Sequence, residues 1–167
     1  IPDTIISSPA ECAMTTAEKC CKAMGQGSVN ILPEQKIFLA DRDDLFDVLK
    51  QIPSSASRVM LVGHNPGLED LLLSLSNDAA KYEDDGKLLP TGTLALLEIE
   101  ASWSDIKRGS ASLLKIVRPR TLPKNFPWPL LNAKEKRDRP AYYYNQSSVI
   151  PYRVRDGLCE VLIVLSS

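Results

Sequence analysis

Only one histidine, His64, occurs in the 167 residues, and the four cysteines Cys12, Cys20, Cys21 and Cys159 form no CxxC pair. A cysteine and histidine zinc site therefore has no recognisable ligand spacing, and no metal ligand is expected. Cys20 and Cys21 are adjacent in a helical pattern, where a thiol ordinarily serves as small apolar filling. Cysteine usage of this kind fits a reducing compartment, so a cytoplasmic location is the expectation. Neither sign of charge dominates: twenty Lys and Arg against twenty-one Asp and Glu leave a net charge of −1. No long-range field then points to nucleic acid or to an anionic membrane. No apolar stretch approaches the ~18 residues of a membrane-spanning helix. An initiator Met is also lacking, and Ile1 opens directly on a strand-like sequence rather than a signal peptide. A piece of a longer chain is the expectation.

What is present is the composition of a folded protein, with 44% hydrophobic and 25% charged residues. That suffices for one domain with a core plus part of another. Thr4 to Ser7 is β-prone and runs into Ser8, Pro9 and apolar residues at Ala10, Ala13, Met14, Ala17, Cys21 and Met24, the spacing of one helix face. Ser8 suits an N-cap, Pro9 the first helical position and Gly25 the terminator. The same grammar returns at Val59 to Gly63, a continuous apolar run of the kind buried on both faces of a parallel sheet. His64, Asn65 and Pro66 follow it, then a helix with Leu68, Leu71, Leu72 and Leu75 on one side. Leu45, Val48, Leu49 and Ile52 suit a crossover helix over Asp44 to Ile52. Ser76 to Lys87 reads as a polar loop, and Thr93 to Ile99 and Ser112 to Val117 as antiparallel strands.

The fold class expected is α/β, a mainly parallel sheet flanked by helices, followed by a linker and a β-hairpin. Pro119, Pro123, Pro127 and Pro129 and the charge run Lys134 to Arg139 give residues 121–141 the character of a linker. Ser147 to Arg155 and Leu158 to Leu165 read as strands joined by Asp156-Gly157, a strong hairpin signal.

In an open α/β sheet, ligands bind beyond the carboxyl ends of the strands, where helix N-termini favour anions. Ser8-Pro9 and His64-Asn65-Pro66 are two such junctions, and an anion such as phosphate would fit between them. The plainer alternative is that Ser8 and Asn65 merely cap helices and His64 is a satisfied structural residue. An imidazole at a phosphate site can hold phosphoryl oxygens when protonated, or move a proton near neutral pH.

Three segments carry a family resemblance. VMLVGHNPGLEDLL at Val59 to Leu72 resembles the second-histidine motif of SixA-type phosphohistidine phosphatases, of the histidine phosphatase superfamily. DTIISSPAECAMTTAE at Asp3 to Glu18 is similar to their SSPxxRxxQTAE segment, and LLPTGTLALLEIE at Leu88 to Glu100 to their LPTGAxAxLE strand. The resemblance spans residues 1–120. It implies removal of phosphate through a phosphohistidine enzyme intermediate, without a cofactor, from a phosphorylated protein or small phosphorylated molecule. It carries the second histidine onto His64, and substrate-binding positions onto Ser8, Cys12, Asn65, Thr91 and Gly92.

Two departures weaken catalysis. No RHG, the family's nucleophile motif on the first strand, occurs in the 167 residues, and Cys12 and Thr15 stand where the family has arginine and glutamine. A thiol cannot supply the bidentate fork of a guanidinium. Nor is Cys12 placed as a cysteine-phosphatase nucleophile, since Glu18 stands where such a loop needs arginine. A missing first strand is expected to leave an exposed sheet edge beside Thr4 to Ser7, open to self-association. The stretch RPAYYYNQSSVIPYRVRDGLCEVLIVLSS at Arg139 to Ser167 resembles the opening strands of a Nudix hydrolase domain, which would make residues 142–167 a truncated unit. Divalent metal would enter only if a complete Nudix domain followed. A simple β-hairpin extension is the alternative. Beside the phosphatase reading stand two others: a non-catalytic phosphate-binding or scaffold module, and an auxiliary part of a Nudix pyrophosphatase.

Overall fold

The two strands expected at the start of the chain and before His64 lie side by side: β1 (Thr4–Ser7) pairs in parallel with β3 (Arg58–Gly63), Thr4 opposite Val59 and Ser7 opposite Val62. The computed structural model describes residues 1–26, 31–77, 79–80, 82, 86–122, 125–127, 138–140 and 159–165. A short strand that the sequence reading did not identify, β2 (Ile31–Pro33), pairs in parallel with the other side of β1. Three residues ending in proline carry no periodicity, so only the pairing reveals the strand. With helices α1 (Glu11–Ala23) and α2 (Arg42–Lys50) between the strands, the parallel order is β2-β1-β3.

The edge expected beside Thr4–Ser7 is therefore absent, because β1 is paired on both sides. The strand on the far side of β3 is β8 (Cys159–Leu165), parallel to β3 and antiparallel to β4 (Leu94–Ile99). Its sequence, Val161-Leu162-Ile163-Val164-Leu165, is a continuous apolar run without alternation, the pattern of an interior strand rather than a half-solvated hairpin arm. Cys159–Leu165 thus pairs within the main sheet, between β3 and β4. β5 (Ala111–Val117) completes the order β2-β1-β3-β8-β4-β5, antiparallel to β4 as expected. Within the presumptive linker, β6 (Asn125–Pro127) and β7 (Asp138–Pro140) form a small antiparallel pair. The tyrosine run Tyr142 to Tyr144, Ser147 to Arg155 and the Asp156-Gly157 turn lie outside the described residues.

The strand period of two divides the core between the sheet's faces. Ile5, Met60, Val62, Leu94 and Leu96 pack with Ala13, Ala17, Cys20 and Cys21 of α1. Ile6, Val59, Leu61, Ala95 and Leu97 pack on the other face with α2 and α3 (Gly67–Leu75). Leu68, Leu71, Leu72 and Leu75 of α3 are wholly buried. Each contributes about 1.5–3 kcal/mol of apolar transfer, an upper figure given a partly collapsed unfolded chain. The indole N–H of Trp103 donates to Ala56 O at 2.7 Å and ties the β4–β5 connection to the start of β3.

Helix boundaries follow local chemistry. α2 begins at Arg42, not Asp44, because Asp41 and Asp44 form a reciprocal capping box. α1 ends at the expected place, with Gly25 at φ +73° beyond Met24. α1 and α3 start at Glu11 and Gly67, one or two residues later than the prolines suggested.

Candidate functional site

Both strand-to-helix junctions open at the carboxyl end of the parallel strands. Ser8 follows β1 and is fully buried, and His64 follows β3 and is half-buried. Ser8 N–H donates to Val62 O at 2.9 Å, which locks the two junctions together. Across them, Ser8 Oγ lies 3.0 Å from His64 Nε2 and also accepts the Ala10 N–H at 3.3 Å. Burial pulls the His64 pKa below its ordinary 6.5, so a neutral ring is favoured near pH 7. A neutral imidazole can meet the serine hydroxyl as donor or acceptor according to its tautomer.

The capping alternative does not hold. Neither α1, whose N-cap is Ala10, nor α3, whose N-cap is Pro66, has a side-chain cap hydrogen bond. Asn65 instead donates to Glu69 Oε1 at 2.8 Å and to Leu89 O at 3.0 Å. The same Glu69 oxygen accepts the Leu89 N–H at 2.8 Å, and the Arg118 guanidinium donates to Leu88 O at 3.0 Å. Asn65, itself exposed, thus braces α3 against the loop leading to β4 through its amide nitrogen.

That loop carries Thr91, exposed, and Gly92, whose φ of +76° is left-handed and favours glycine. The registers Gly63 opposite Leu165 and Leu94 opposite Val164 bring the loop to the same end of the sheet as His64. Thr93, which the sequence reading passed over, is fully buried with no hydrogen-bond partner for its hydroxyl. Its signal was the TGT triplet itself. Cys12, the second residue of α1, is half-buried, and its carbonyl accepts the Thr16 hydroxyl at 2.8 Å. Cys20 and Cys21 are core thiols: burial, reinforced by Cys21, pushes Cys20 to about 11, and burial raises Cys21 as well.

The structure therefore joins Ser8 and His64 directly, places Cys12 on the adjoining first turn, and sets Thr91 and Gly92 on a braced loop at the same sheet end. Sequence reasoning missed Phe38, whose ring meets the His64 imidazole edge to face, centroids 6.3 Å apart and planes at 90°. A surface depression of about 350 Å³ lies elsewhere, between α2 and the β4–β5 connection, lined by Arg42, Phe46, Lys50, Ser74 and Arg108 among others. Among the described residues, no group of three His, Cys, Asp or Glu side chains is placed to hold a metal, and no helix is long and apolar enough to cross a membrane.

The chain has a histidine phosphatase-like fold. A solved SixA protein of Nakamurella multipartitia, named there as a candidate phosphohistidine phosphatase, superimposes with a TM-score of 0.59 at 20% identity, over 71% of each chain. No family model and no curated protein matches.

Proposed function

We propose that the junction of β1, β3, α1 and α3 is a phosphate site of the phosphohistidine phosphatase type, and that catalysis is impaired in this chain. The observation that carries the reading is the Ser8–His64 hydrogen bond between two helix N-termini that no side chain caps. Helix N-termini without an N-cap side-chain bond favour an anion there, Glu11, Glu69 and Asp70 in the first turns offset part of that field, and His64 can add a proton-dependent positive charge. The SixA-type fold and the motifs at Asp3 to Glu18 and Val59 to Leu72 agree with phosphohistidine as the substrate group. By the family route, a histidine takes the phosphoryl group and arginines hold its oxygens. The 167 residues have no second histidine, and Cys12 has no guanidinium to offer. That favours phosphate binding over turnover, and a non-catalytic phosphate-binding module is the second reading. A role beside a Nudix pyrophosphatase rests on Arg139 to Ser167 alone, and a divalent metal would belong only to a completed domain of that kind.

The test uses the chain itself with phosphohistidine, a phosphomonoester and inorganic phosphate. No hydrolysis above background is expected, whereas phosphate should shift the ring signals of the single histidine. Cys12→Arg should tighten phosphate by about tenfold or more, since one charged donor to a phosphoryl group contributes several kcal/mol at a preorganised site. Robust hydrolysis abolished by His64→Ala would make His64 a nucleophile. Ring signals indifferent to phosphate would remove the site.

A further inference from the structure

The segment between β2 and α2 carries two consecutive exposed apolar residues, the first of which touches the His64 ring. Phe38 is 46% exposed and Leu39 81% exposed, and Leu39 adopts φ +54°. A bulky residue in the left-handed region is strained, and an exposed leucine gains nothing from burial there. Neither packing nor solubility accounts for the choice, and strain of this kind gathers at ligand clamps and active sites.

The segment is nevertheless firmly seated. Glu34 N–H donates to Ser7 O at 2.9 Å, and the Glu34 carboxylate takes the Lys36 N–H at 2.9 Å to start a 3₁₀ turn at Gln35–Ile37. Phe38 N–H closes that turn on Gln35 O at 3.1 Å. Ile37 is buried at 1% exposure, and its Cγ2 lies 2.8 Å from where a Cβ on Gly63 would stand. A Cβ on Gly67 would run into the Ala40 carbonyl oxygen. The two glycines bracketing His64 thus make room for this segment, one at each end of the junction. Phe38 adds an edge-to-face contact to the His64 ring, within the 4.5–7 Å range in which aromatic pairs attract.

We infer that residues 34–40 form a rigid lip of the site, in which Phe38 orients the His64 imidazole and the Phe38–Leu39 edge receives an apolar or aromatic group borne next to the phosphoryl group. This rests on the phosphate reading and adds a substrate class to it: phosphorylated groups with an apolar body, in preference to small hydrophilic phosphate esters.

Methyl phosphate and phenyl phosphate separate the two ideas, with binding read from the ring signals of His64. The natural chain should bind phenyl phosphate about tenfold tighter than methyl phosphate, the order of discrimination a partly open apolar contact gives. Leu39→Gly removes side chain and backbone strain together, so the fold is retained, and it should bring that ratio close to one. Phe38→Ala should do the same and also raise the titration midpoint of His64 as water reaches the ring, while Phe38→Tyr should restore both. Equal affinity for the two esters in the natural chain, or a ratio untouched by Leu39→Gly and Phe38→Ala, would overturn the lip and leave the phosphate site standing. If neither ester moves the His64 signals, the phosphate site fails, and the lip falls with it.

Discussion

Helix α2 and its neighbours α1 and α3 begin in opposite ways. At α2 the Asp41 carboxylate accepts the N–H groups of Asp43 and Asp44 at 2.8 and 2.9 Å, and the Asp44 carboxylate returns to Asp41 N–H at 3.4 Å. Two orphan donors of the first turn are thereby satisfied by the N-cap, whereas acidic first-turn residues are common to all three helices and do not distinguish them. At α1 and α3 the residues suited to capping are shared or committed elsewhere: Ser8 to Ala10 N–H and His64, Asn65 to Glu69 and Leu89. A helix that closes its own N-terminus serves stability, whereas one that leaves it open forgoes about 1 kcal/mol and offers its donors to something else. The same fold thus contains one helix start closed by its own side chains and two whose neighbouring side chains bond elsewhere, and the proposed phosphate site lies at the latter.

The largest expected effect tests how closely the sealed and open ends are fitted together. Ala40, just ahead of the α2 cap, presses on Gly67 at the first turn of α3, so Gly67→Ala forces backbone against backbone. It should cost about 1–3 kcal/mol in denaturant unfolding and weaken phosphate at His64 in the same variant. A fully stable Gly67→Ala protein would show that the two helix starts move independently.

Exchanging the roles of the caps gives a smaller and more discriminating effect. Asp41→Ala should lower stability by about 1 kcal/mol, the usual value of an N-cap, with phosphate binding at His64 retained. Ser8→Ala loses the buried hydroxyl that meets both Ala10 N–H and His64, so it should weaken phosphate at His64 in addition to its cost in stability. The measurements are chemical denaturation and the His64 ring signals. Phosphate binding unchanged in Ser8→Ala would reduce Ser8 to a structural residue.

These distinctions were only partly legible in the sequence. The strands before Ser8 and His64 were plain, because a β-prone stretch running into Ser-Pro and an unbroken apolar run ending before His-Asn-Pro have few other readings. So was α3, whose four leucines sit on one face. The residues at the junctions were also found, but not their partners: Ser8 and Asn65 look alike as capping residues, and only the fold shows that one meets His64 and the other joins Glu69 to Leu89. β2 went unseen because three residues have no period, and Phe38 because an aromatic beside a 3₁₀ turn has no motif. The place of Cys159–Leu165 between β3 and β4 is non-local: the sequence marked it as a strand of a hairpin, and the 41 residues after Val117 gave no indication of which strands it would join.

The smallest effect concerns protons, and it separates folding from binding by sign. Burial holds the folded His64 pKa below the 6.5 of an unfolded chain. Between those two values the unfolded state carries more of the proton, so acid favours unfolding. The histidine's contribution to stability is therefore complete above about pH 6.5, is lost as pH falls through the folded value, and is level below it. Anion binding should run the other way, because a charged imidazole attracts what a neutral one does not. Sulfate is the suitable probe, since its own charge stays constant over this range. Its affinity should rise as pH falls from 8 to 5, by no more than about tenfold per unit for a single proton, and His64→Gln should flatten the profile. A sulfate affinity independent of pH in the natural chain would mean that the helix N-termini bind the anion without His64, and that the Ser8–His64 contact is structural.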